Sequence, residues 1–183
     1  NELNAAAAIA AARAAGAGPA AVRQGLAGFR PLPHRMALVA EVDGVRYYDD
    51  SKGTNVGAAV TALRGLPEAR VVLIAGGRDK LGAYDDLAAA LAARGRAAVL
   101  IGEAADRIAA AVGDVVPVAR AGDMQAAVKA AARLAQPGDA VLLSPACSSF
   151  DMFKSYADRG ERFAAAVRSL TTAPGAAPTG GAP

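Results

Sequence analysis

The chain has 183 residues, 54% of them hydrophobic, with a formal net charge of +3; that suffices for one ordinary domain and a small appendage without disulfide or metal staples. One cysteine, Cys147, and one histidine, His34, exclude an internal disulfide and a His-rich metal site and fit a reducing cytoplasm. Aromatics at only 4% and scattered arginines argue against a nucleic-acid partner, and nothing reads as a signal peptide or as the roughly 18 to 20 apolar residues of a membrane span.

In chain order, residues 1–29 are alanine-rich and helical in character, with Gly18 expected to end one helix and Pro19 to open the next. A helix pair with no sheet of its own reads as the end of another domain. From residue 30 to 170 strands alternate with helices. MALVAEV and VRYYDD flank Asp43-Gly44, a strong hairpin signal. VVLIAGG, AAVLIGE, a weaker VVPVA and DAVLLSPA are β-rich runs, separated by helical stretches such as YDDLAAALAARG and DMQAAVKAAARLAQPG. Such alternation predicts a mixed, mostly parallel α/β sheet with helices on both faces, the hairpin adding an antiparallel pair. Residues 171–183 are a Pro, Gly, Ala and Thr mixture that cannot bury a core and are expected to be disordered.

Four stretches carry chemistry, and each is expected at the carboxyl end of a strand, where open α/β sheets bind ligands. In DDSKGTN, a carboxylate such as Asp50 can accept from a ribose, Lys52 can meet a phosphate, and Thr54 or Asn55 can cap the next helix. AGGRDK follows VVLI directly; its glycines permit a tight turn, and Lys80 would project over the crevice. The chain contains no Walker A loop. In SPACSSFDMF, Ser148 and Ser149 can offer donors to a carboxylate, while Cys147 lacks any histidine partner but the distant His34 and reads as a small buried residue rather than a nucleophile. FRPLPHRM is a proline-marked linker in which Arg35 can reach a phosphate and His34 serves as a surface or hinge hydrogen-bonder. On the residues alone, a stand-alone ligand-binding or phospho-receiver-like module built on Asp49 and Asp50 stays open as an alternative.

NELNAAAA, LPHRM, DDSKGTN, GGRDK and SPACSSFDMFKSYADRGERF, in this order, resemble the C-terminal portion of the Mur ligases, over nearly the whole chain apart from the tail. SPACSSFD is similar to the D-glutamate-adding pattern, and the DNPR-like motif of the diamino-acid-adding members is absent. The resemblance implies a Rossmann-like C-terminal domain at 30–170, preceded at 1–29 by the helical end of a central ATP-binding domain. It implies a monomeric cytoplasmic enzyme of peptidoglycan synthesis that activates UDP-N-acetylmuramoyl-L-alanine with ATP and Mg2+ as an acyl phosphate, which the amine of D-glutamate attacks. Carried over by similarity, Asn1, Asn4, Arg35, Asp50 and Lys52 serve ATP, while Thr54, Lys80, Ser149, Phe150 and Tyr156 hold D-glutamate. None of them is a covalent nucleophile, an acid or base, or a metal ligand. The P-loop and UDP-binding regions of the family are not in this sequence, so the chain alone is expected to be inactive.

Overall fold

The computed structural model describes residues 2–171. Asn1 and all but the first residue of the tail expected at 171–183 lie outside the described residues. The chain divides into two compact units, one ending at Leu32 and the other beginning at Pro33.

The first unit is a helix pair, α1 (Glu2–Ala14) and α2 (Pro19–Gly28). The break differs in detail from the expectation for Gly18. Gly16, at φ +90°, supplies the left-handed residue that ends α1, and the Gly16 and Ala17 N–H groups donate to the carbonyls of Arg13 and Ala12. Gly18 is instead the extended N-cap of α2, with Pro19 in the first turn. Asn4 is an exposed residue of α1.

The second unit runs β1 (Ala37–Val42), β2 (Val45–Asp49), α3 (Val56–Gly65), β3 (Val71–Gly76), α4 (Asp85–Arg94), β4 (Gly95–Ile101), α5 (Ala105–Val112), β5 (Val118–Arg120), α6 (Met124–Leu134), β6 (Ala140–Leu143) and α7 (Tyr156–Thr171). The six strands form one sheet in the order β1-β2-β6-β3-β4-β5. Only β1 is antiparallel, joined to β2 by a hairpin whose Asp43 and Gly44 both have positive φ (51° and 75°), as a two-residue turn matched to strand twist requires.

The central strands are continuous apolar runs because both their faces are covered. Val71, Leu73 and Ala75 of β3 point into one core with Leu63 of α3, Leu87 and Leu91 of α4 and Ile108 of α5. Val72 and Ile74 point into the other with Val128 of α6 and Phe163 and Val167 of α7. The period-2 alternation of β3 thus splits one apolar segment between two layers of helices. Among the described residues no helix is long and apolar enough to cross a membrane.

Strand order sets the place of a ligand crevice. β6 lies between β2 and β3 and is parallel to both. The chain leaves β3 toward α4, in the first core, and leaves β6 toward α7, in the second. Loops that part to opposite faces at neighbouring strand ends make the crevice in which open α/β sheets bind ligands.

Candidate functional site

Three of the four chemistry-bearing stretches follow strands that end at this edge. The fourth, FRPLPHRM, precedes a strand, contrary to the expectation that each lies after one. It reaches the same edge because β1 is antiparallel: Ala37 at its start pairs with Asp49 at the end of β2. The linker therefore delivers His34 to Asp49, with His34 Nδ1 and Asp49 Oδ2 2.6 Å apart. The Lys52 N–H also donates to the His34 carbonyl, at 3.0 Å. Arg35 stands exposed beside this junction.

Backbone hydrogen bonds stitch the loops together. Ala146 N–H donates to Gly53 O (3.0 Å), Gly76 N–H to Pro145 O (2.9 Å), Arg78 N–H to Ser148 O (3.0 Å) and Ala104 N–H to Gly77 O (2.9 Å). Gly77, at φ +132°, is required there: a Cβ would lie 2.2 Å from Ser148 O. The two glycines expected to allow close backbone approach do so, Gly76 against Ile101 at the end of β4 and Gly77 against Ser148 in the loop after β6.

Under these loops lies Arg159, in the first turn of α7 and fully buried. Its Nε donates to Ser51 Oγ (3.0 Å), and its two terminal nitrogens donate to the carbonyls of Ser51 (2.9 Å), Cys147 (3.2 and 3.3 Å) and Ser148 (3.3 Å). Burial lowers its pKa to about 10, which still leaves it charged at neutral pH. Ser51 is the counterpart hub: its N–H donates to Asp49 Oδ1 and its hydroxyl to Tyr156 O. One guanidinium thus ties the loop after β2 to the loop after β6, two of the three that carry expected ligand residues.

The expected D-glutamate residues fall in two groups. Lys80 Nζ donates to Thr54 O at 3.0 Å, which brings those two together. Ser149 is buried and Phe150 is 66% exposed, both on the loop after β6. Tyr156 is met by Lys52, whose Nζ lies 3.9 Å from its ring centroid, and by the His34 ring, edge-on at 6.1 Å. An expected nucleotide residue and an expected amino-acid residue are therefore direct neighbours. Asn55, not Thr54, caps α3, its side-chain oxygen accepting from Ala58 N–H at 2.9 Å.

Asp50 is 8% exposed, and its Oδ2 accepts from Ser144 Oγ at 2.8 Å. Burial raises its pKa, while the Ser144 hydroxyl and the Met36 N–H oppose that shift. A Cβ on Gly53 would come within 2.5 Å of both Asp50 Oδ2 and Ser144 Oγ, so the glycine admits this inward-turned carboxylate. Asp49 and Asp50 are both buried and both bonded within the protein, which is not the open acidic pair of a phospho-receiver.

With the geometry described, relatives can be compared. Residues 34–147 match the family model described as Mur ligase, glutamate ligase domain. The chain belongs to the Mur ligase family. Curated relatives named UDP-N-acetylmuramoylalanine–D-glutamate ligase include one from Pseudomonas fluorescens, 49% identical over 93% of this chain and 39% of its own length. Another, from Frankia casuarinae, is 56% identical over 91% of this chain and 36% of its own length. The chain thus spans under two fifths of these relatives. Among solved structures, UDP-N-acetylmuramate-alanine ligase MurC from Thermotoga maritima aligns with a TM-score of 0.67 at 18% identity, over 93% of this chain and 38% of that one. E. coli FolC in complex with ADP aligns with a TM-score of 0.60 at 24% identity, over 92% and 39%. These likenesses establish the fold.

Arg159, Ser51, the pairing of Asp49 with His34, and Asp79 are features of this Mur ligase domain that the sequence motifs do not mark. A signal for Arg159 was present. Tyr156, Arg159, Gly160, Phe163, Ala166 and Val167 recur at the spacing of one helix face, and an arginine on the apolar stripe of a helix calls for buried acceptors. The others depend on contacts between distant loops and have no local mark.

Cys147 is buried, with its Sγ 3.4 Å from the Tyr84 hydroxyl, and burial raises its pKa. Alkylation by iodoacetamide at pH 8, followed by intact-mass spectrometry, is expected to be at least about tenfold slower in the folded protein than in urea. Equal rates would show an accessible thiol.

Proposed function

We propose that this chain is the C-terminal part of a cytoplasmic, ATP-dependent ligase that joins D-glutamate to UDP-N-acetylmuramoyl-L-alanine in peptidoglycan synthesis. The observation that carries the reading is agreement at about half of all positions, over more than nine tenths of the chain, with relatives named for that reaction. The site's chemistry supports it. Arg35, Lys52, Arg78 and Lys80 are all exposed cations at or beside the loops of the crevice edge, as a site for a nucleotide and a dicarboxylate needs.

In this reading the γ-phosphoryl group of ATP passes to the alanyl carboxylate and ADP leaves. The D-glutamate nitrogen then bonds to the acyl carbon, the bond to phosphate breaks, and an amine proton is released. The chain's own residues bind and orient, which makes an encounter of three substrates effectively intramolecular. Arg35 and Lys52 meet phosphate charge, and by family similarity Asn1 and Asn4 also serve ATP and Asp50 serves its ribose. Lys80 holds a glutamate carboxylate beside Thr54 and Ser149, while Phe150 and Tyr156 wall the side chain. Magnesium, which the family implies, is assigned in this reading to the family's central domain; no group of three His, Cys, Asp or Glu side chains able to hold a metal occurs among the described residues.

The test is an amide-formation assay on the full-length ligase carrying this chain, with UDP-N-acetylmuramoyl-L-alanine, ATP and either D-glutamate, L-glutamate, L-lysine or meso-diaminopimelate. Turnover with D-glutamate alone is expected, and Lys80→Ala should lower kcat/KM for it by about 100-fold, the value of a lost charge-assisted hydrogen bond. Turnover with another amino acid, or none at all, would overturn the proposal.

A further inference from the structure

Asp79 stands one residue before Lys80, so a carboxylate adjoins the cation assigned to a dicarboxylate substrate. Left bare, it would repel that substrate and draw the lysine to itself. Three contacts dispose of it otherwise. Its Oδ1 accepts from the Leu81 N–H at 2.9 Å and from the Tyr84 hydroxyl at 3.0 Å, while its Oδ2 takes the Arg107 guanidinium of α5. Arg107 also donates to Gly82 O at 3.1 Å and lies over the Tyr84 ring, 5.7 Å from its centroid. The Asp79 side chain is only 7% exposed, and the pairing with Arg107 holds it below the usual carboxylate range, ionised at neutral pH.

The geometry has a second consequence. Leu81 adopts φ +57° and is 84% exposed, a strained conformation for a side chain with no burial to compensate it. The Asp79 carboxylate bonded to the Leu81 N–H holds that turn. Lys80 is thereby pinned on both sides, and its ammonium is directed to Thr54 O with donors to spare for an anion.

We propose that Asp79 and Arg107 are positioning residues for amino-acid binding: Asp79 sets the backbone that aims Lys80, and Arg107 cancels the charge that Asp79 would otherwise present to the incoming carboxylates. The proposal rests on the reading of Lys80 as a D-glutamate ligand. Arg107 is a half-exposed side chain at a helix surface, so its replacement leaves the core intact.

In the full-length ligase, KM for D-glutamate and for ATP would be measured separately for Arg107→Ala, Arg107→Lys, Asp79→Asn and the double variant Asp79→Asn/Arg107→Ala. Arg107→Ala should raise KM for D-glutamate about tenfold, with the ATP value unchanged and the defect shrinking as salt rises. Arg107→Lys should restore most of the loss. The double variant should bind D-glutamate better than Arg107→Ala, because Asn at 79 keeps the turn acceptor without the charge. Equal rises in both KM values, or a double variant no better than the single one, would mark Arg107 as merely structural and overturn the inference while the proposed reaction stands. Absence of D-glutamate turnover in the unsubstituted ligase would overturn both.

Discussion

Arg159→Ala is expected to lower the unfolding free energy by about 4 kcal/mol, because it strips hydrogen bonds from several buried acceptors and leaves a cavity. The guanidinium donates to Ser51 Oγ and to the carbonyls of Ser51, Cys147 and Ser148. Among the described residues no carboxylate touches it at hydrogen-bond distance, so its loss strands carbonyl groups, not an opposing charge. Arg159→Lys separates charge from shape: lysine keeps the cation but cannot span loops on two strands with a flat fork of donors. It should recover less than half of the loss. Thermal unfolding of the three proteins reads this directly, as a drop of about 10 °C or more for alanine. A shift under about 3 °C would mean that the two loops hold each other without the arginine.

Gly160→Ala should also destabilise, and there the sign is diagnostic. In an ordinary helix interior that exchange stabilises by about 1 kcal/mol. Here a Cβ would fall 2.2 Å from His34 Nδ1 and 2.6 Å from Asp49 Oδ2, so α7 can close over the pair only with a hydrogen at that position. The expected loss is about 2 kcal/mol, the usual range for overpacking. It should be smaller in a His34→Ala background, where one of the two clashing groups is gone. A double-mutant cycle in denaturant tests this coupling. Stabilisation by Gly160→Ala alone would show that His34 does not rest against the helix.

The His34–Asp49–Gly160 junction shows why some of the site could not be read from the residues. His34 and Asp49 are 15 apart and Gly160 is more than a hundred residues further on, and neither composition nor period marks three such residues as neighbours. Asp79 is a similar case. Within GGRDK it looks like a turn residue, and only the placement of α5 brings Arg107 onto it. Lys80, Gly76 and Gly77 were legible, because a strand followed by glycines and a cation has a local meaning.

The sequence by itself determined the secondary elements, the antiparallel hairpin at Asp43-Gly44, the mostly parallel sheet and the stretches that carry charge to its edge. It could do so because strand and helix periods, turn residues and runs buried on both faces are properties of neighbours along the chain. The tertiary structure decided that β6 inserts between β2 and β3, that the antiparallel β1 brings the linker to the ligand edge, and that Arg159 ties the loops from beneath. Those follow from which distant groups meet in a close-packed interior, where every buried donor and acceptor has to find its partner.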